Sequence, residues 1–149
     1  MENNKSIKET EEEIIEAFSY LETWEEKYEY IIELGKKLPP LDEEYKVEEN
    51  IIKGCQSTVW LASDYYDGKV YFKADSDAMI VKGLVSMLIE VLSGHTPDEI
   101  INAKIDFIRE IGMMTHLAQT RSNGLLSMIK QIKNYALVYK SIETVEKTI

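Results

Sequence analysis

The sequence predicts an α+β fold: a small antiparallel sheet, a hairpin plus a short third strand, packed with about five or six helices. Three observations predict it. Within residues 58–74 apolar side chains alternate every second position, whereas on either side they recur at three- and four-residue spacing. Asp67-Gly68 stands between the two alternating runs and supplies the positive backbone angles of a tight hairpin. Thr23 with Glu26, and Thr96 with Glu99, form capping patterns that mark helix starts outside the hairpin.

Each element follows in order. Ile14, Ile15, Phe18 and Leu21 put an apolar stripe on a helix over residues 11–21, preceded by an N-terminus, residues 1–10, expected to fray. Trp24, Tyr28, Ile31 and Ile32 continue as a second helix to about Lys37. Pro39 and Pro40 lack amide donors, so Leu38 to Lys46 is expected to be an extended surface connection. Val59, Leu61, Ser63 and Tyr65 lie on one face of the first strand, and Val70, Phe72 and Ala74 on the return strand. An isolated hairpin is marginal in water, so Asn50 to Lys53 is assigned as the third strand. Asp75-Ser76-Asp77 offers N-cap oxygens to an apolar helix carrying Met79, Leu84, Met87, Leu88 and Val91, which stops at Gly94. Pro97 at a first helical position opens the next helix. Met113 to Gln119 reads as a connection, and Thr120-Arg121-Ser122 opens a last helix with Leu125, Met128, Ile129, Ile132 and Leu137. With no repeat or linker, residues 1–149 are expected to form one domain.

Composition removes several functions. A formal charge of -10, from 17 basic and 27 acidic residues, repels a phosphate backbone and argues against nucleic-acid binding. The apolar stretch from Met79 to Leu92 is broken by Lys82, Gly83, Ser86 and Glu90, too polar for a membrane span. The N-terminus lacks a secretory core and an Arg-rich transit pattern, so a cytoplasmic location is expected. A single cysteine makes no intramolecular disulfide, and with only His95 and His116 beside it a closed Cys/His zinc site cannot be filled.

Cys55 is therefore inert filler, a partner-facing thiol or a nucleophile. Gly54-Cys55-Gln56-Ser57 lies where an extended segment meets the hairpin, and the glycine permits an unusual backbone angle just before the thiol. His116 raises a Cys–His nucleophile, but no papain-like sequence surrounds Cys55, and the phosphatase spacing of cysteine, five residues, arginine fails at Leu61.

Four segments carry a resemblance: WEEKYEYIIELGKKLP from Trp24 to Pro39, GCQSTVW from Gly54 to Trp60, DSDAMIVKGL from Asp75 to Leu84 and TRSNGLLSMI from Thr120 to Ile129. In this order they resemble SufE-type sulfur acceptors of iron–sulfur cluster assembly, over about Trp24 to Ile132. The N-terminal acidic helix and residues 135–149 match nothing nameable.

The resemblance implies a SufE/IscU-like fold and a persulfide acceptor at Cys55. It implies a donor as well, a pyridoxal-phosphate cysteine desulfurase of SufS type or its CsdA-type relative. The pyridoxal phosphate belongs to that partner, so the chain has no cofactor of its own and is not an independent enzyme; it activates the desulfurase and delivers sulfur to the SufB subunit of a SufBCD scaffold. Gly54, Gln56 and Ser57, with Asp75, Ser76 and Asp77, become candidate loop and partner-contact residues, although the three acidic-block residues read first as helix caps. Lys53 and Arg121 are candidate stabilisers of the Cys55 thiolate. Val59, Trp60 and apolar residues of the Met79 helix are candidates for a recess sheltering the persulfide, although Trp60 reads first as core. An IscU-like cluster scaffold is the alternative, but one thiol would have to share ligands across a dimer. A monomer or weak dimer is expected.

Overall fold

The computed structural model describes residues 5–148. Helix α1 (Ile7–Ser19) starts at Ser6, whose hydroxyl accepts from the Glu9 amide while the Glu9 side chain accepts from the Ser6 amide. This capping box orders residues 6–10, which corrects the expectation of a frayed start; residues 1–4 lie outside the described residues. A second tie holds α1 down: buried Glu11 accepts from the amides of Asp106 and Phe107 at 2.9 and 3.0 Å.

Helix α2 (Trp24–Lys36) is capped by Thr23 as its sequence predicts. The connection after it is neither wholly extended nor wholly on the surface. Leu38 and Leu41 bury their side chains, and 3₁₀ turns form at Glu43–Tyr45 and Glu48–Asn50, because two apolar residues so close together pull the segment onto the core.

Strands β1 (Val59–Tyr66) and β2 (Lys69–Ser76) pair antiparallel from Val59 opposite Ser76 to Tyr66 opposite Lys69. Asp67 and Gly68 turn the hairpin with φ of 52° and 77°. The sheet has two strands, so the expected third strand at Asn50–Lys53 is not formed. What remains is a bridge between Ile51 and Trp60 and a 2.9 Å bond from the Ile52 amide to the Val59 carbonyl. The 3₁₀ turn before Ile51 and the positive φ of Gly54 after it leave no run long enough to pair. The outer edge of β2 is covered in the same way, since Val70 exchanges bonds of 2.8 and 2.7 Å with His95 and Gly94.

Leu61, Val70, Phe72 and Ala74 form the buried face of the hairpin, and the marginal sheet is stabilised by the helices on that face. Helix α3 (Met79–Leu92) packs Val81, Leu84, Val85, Leu88, Val91 and Leu92 into the core. It crosses α2 at near-contact of the two backbones: a Cβ on Gly83 would stand 2.1 Å from the Ile31 carbonyl oxygen.

Helix α4 (Pro97–Asn102) has the capping box its sequence predicts. Two single-turn helices follow, α5 (Phe107–Glu110) and α6 (Met113–His116), the second within the stretch expected to be only a connection. Helix α7 (Gln119–Thr148) closes the fold. Among its ties, Lys133 caps the Ile101 and Ala103 carbonyls, Tyr135 donates to the Leu61 carbonyl, and the Tyr139 and Ser63 hydroxyls lie 2.9 Å apart. No described helix is long and apolar enough to cross a membrane.

Candidate functional site

Gly54 sits at φ 92°, and a Cβ on it would stand 2.6 Å from the Ser127 hydroxyl of α7. A side chain is opposed there twice, by backbone conformation and by contact. The glycine therefore seats the loop directly on α7 and delivers Cys55 to the helix surface. Cys55 is half-buried, and its thiol donates to the Gly124 carbonyl at 3.5 Å. Gly124 is also bare: a Cβ on it would lie 3.4 Å from Sγ.

The thiol opens into a recess of about 60 Å³. Gln56 and Ser57 line it from the loop, Val81 and Leu84 from α3, and Arg121, Gly124 and Met128 from α7. One water-sized atom needs roughly 10–15 Å³, so the recess admits an atom beyond Sγ. Burial pushes the Cys55 thiol above its ordinary pKa, and no cation counters it. In this conformation the thiol is protonated and sheltered.

The C-terminal side of the loop is clamped through Thr58. Its amide donates to the Asp77 carboxylate at 3.1 Å, and its carbonyl accepts from the Ser76 hydroxyl at 2.8 Å and the Asp77 amide at 3.3 Å. The expectation that Asp75, Ser76 and Asp77 cap α3 is corrected here. That helix has Ala78 at its N-cap with no side-chain bond, because β2 runs on through Ser76 and the Asp77 carboxylate is turned to Thr58. Asp75 pairs with Lys82 at 3.2 Å and Lys46 at 3.3 Å. Burial opposes its charge, but the Ser76 amide and the two ammonium groups outweigh burial and hold its carboxyl below the usual range.

Other candidates separate. Arg121 is exposed and lines the recess, whereas Lys53 lines a neighbouring groove, so neither stabilises a thiolate in this conformation. Val59 is core, and Trp60 lies on the other face of the hairpin with the Lys46 ammonium 5.5 Å from its ring; neither lines the recess as expected. Val81 and Leu84, on the Met79 helix that was expected to contribute, do line it, and Met128 of α7 joins them. The spacing of Arg121, Gly124 and Met128, three then four residues, is the helical signal that marks this floor in the sequence. His116 stacks on Trp24 at 3.7 Å between ring centroids, so no Cys–His pair forms. Among the described residues no group of three or more His, Cys, Asp or Glu is placed to hold a metal ion.

Fold and site define a small α+β protein that holds a lone thiol over a recess walled on two sides by apolar residues. The family model described as "SufE: Fe-S metabolism associated domain" matches residues 12–136. An uncharacterized SufE-like protein of Rhizobium meliloti is 42% identical over 130 residues, covering 84% of this chain and 93% of the relative. A SufE-like protein of Synechocystis is 39% identical over 127 residues, covering 85% and 80%. The chain belongs to the SufE family. The solution structure of a hypothetical protein from Thermus thermophilus shares the fold, with TM-score 0.73 and 22% identity over 89% of this chain and 96% of that one. Family membership supports a sulfur-acceptor role in Fe–S metabolism, as a sulfur-transfer partner and not a standalone enzyme.

Proposed function

We propose that Cys55 accepts sulfane sulfur from the persulfide of a SufS-type cysteine desulfurase, stimulating that enzyme, and passes it to the SufB subunit of a SufBCD scaffold in the cytoplasm. The observation that carries this reading is the recess beside Sγ, apolar on its α3 and Met128 sides and large enough for one more atom. A persulfide is readily reduced or oxidised, and a walled recess protects it in transit.

The Cys55 thiolate attacks the outer sulfur of the donor persulfide; a new S–S bond forms to Sγ, the donor S–S bond breaks, and its electron pair leaves on the donor cysteine as thiolate. The proton lost by Cys55 balances the one taken up by the donor. No net oxidant is needed. Because burial keeps the resting thiol protonated, docking must displace the Gly54–Ser57 loop from α7 before attack. Arg121, which lines the recess and is exposed, is the cation we assign to meet the thiolate or the partner as that happens.

The test mixes the protein with a SufS-type desulfurase and cysteine and follows intact mass. The wild type is expected to gain the mass of one sulfur atom at Cys55 and to accelerate alanine release. A Cys55→Ser variant that stimulates alanine release equally would overturn the assignment.

A further inference from the structure

A second groove, with two lysines in its lining, lies beside the Cys55 loop. It has a volume of about 390 Å³ and is lined by Lys53, Lys130, Ser127, Gln131 and Asn134, with Glu49 as its one carboxylate. Ser127 is the residue on which Gly54 rests, so the groove adjoins the segment that carries the thiol. The surrounding charge is unlike the rest of the chain. Residues 111–142 hold Arg121, Lys130, Lys133 and Lys140 without a carboxylate, and residues 50–63 hold Lys53 without one, in a protein of net charge -10.

Lys133 and Lys140 are engaged, the first on the Ile101 and Ala103 carbonyls at the end of α4 and the second with Asp98. Lys53, Arg121 and Lys130 are exposed and make no ion pair among the described residues. All three lie close to the Cys55 loop, Arg121 on the recess and the two lysines in the groove. Three uncommitted cations around one loop of an acidic protein form a surface complementary to carboxylates.

We propose that the Lys53–Lys130 groove docks an acidic segment of the sulfur-donating protein, beside the cysteine that bears the persulfide. This rests on the sulfur-acceptor reading and adds the chemistry of the partner. A protein segment is the occupant because the groove adjoins the loop that must enter the donor's site, so one rigid partner can fill both places. Attraction acts on encounter, and it steers approach without altering the reaction at Sγ.

The experiment measures the second-order rate of sulfur transfer from persulfidated SufS-type desulfurase at low and high ionic strength. A Lys53→Glu/Lys130→Glu variant is compared with wild type and with Lys36→Glu/Lys104→Glu. The groove variant is expected to be slower by about tenfold or more at low salt, with the gap closing at high salt, while the control pair stays near wild type. Loading of Cys55 from a small persulfide that carries no carboxylate must remain at the wild-type rate, which shows the acceptor chemistry intact. An unchanged protein-to-protein rate and salt slope overturns the groove proposal alone. So does a defect seen only with an anionic small donor such as glutathione persulfide, which would make the groove a small-anion site. Failure of wild-type Cys55 to accept sulfur from any donor overturns the acceptor reading instead.

Discussion

Replacing Gly124 by alanine separates shelter from stability. Gly124 lies in α7, where alanine is favoured over glycine by up to about 1 kcal/mol. The added Cβ would stand 3.4 Å from Sγ of Cys55, an ordinary contact, so the unmodified protein absorbs it without strain. Stability is expected to rise, moving Tm up by about 2–4 °C for each kcal/mol in a chain of this length. The persulfide form fares differently. An S–S bond is about 2.05 Å long, so an outer sulfur placed along the line from Sγ to that Cβ would come within about 1.4 Å of carbon. Part of the recess is closed, and the outer sulfur is turned toward solvent. Persulfidated Gly124→Ala is therefore expected to lose its sulfur several-fold faster than wild type under limiting dithiothreitol, followed by alkylation and mass. A variant at least as stable as wild type that keeps its persulfide equally long would refute the recess as the shelter.

Two further predictions follow from the packing and the thiol. Burial favours the neutral form of Cys55, so the alkylation rate with neutral iodoacetamide should rise with pH to a midpoint above the ordinary thiol value, and a midpoint at or below it would contradict the sheltered state. Gly83→Ala puts Cβ 2.1 Å from a backbone oxygen of α2, which forces the helices apart by roughly 1 Å at a cost of about 1–3 kcal/mol or more, reduced by up to about 1 kcal/mol of helix preference. Tm should fall by several degrees; melting at or above the parent temperature would show that the crossing is looser than described.

Much of the fold is legible in the sequence because its signals are local. Asp67-Gly68 encodes its turn in two residues, and Thr23 and Thr96 encode helix starts within one turn each. The expectations that failed concern competition between partners distant in sequence. Asp75 to Asp77 have the composition of a helix cap, yet Asp77 and Ser76 are bound to Thr58, nearly twenty residues earlier. Asn50 to Lys53 have a strand-like setting, but pairing is cut to a bridge by turns on both sides. The anchoring of α1 is not legible locally because the amides that donate to Glu11 lie at residues 106 and 107.

The chemistry divides the same way. Sequence alone identified the lone thiol, the glycine before it and the family, since these are properties of residue identity and order. Tertiary structure decided which candidates surround the sulfur: Val81 and Leu84 of the expected helix but neither Val59 nor Trp60, with Gly124 and Met128 from another helix and no cation acting on the thiol. A recess is the space left between elements once they pack, and the ionisation of a group within it depends on how much water that packing removes.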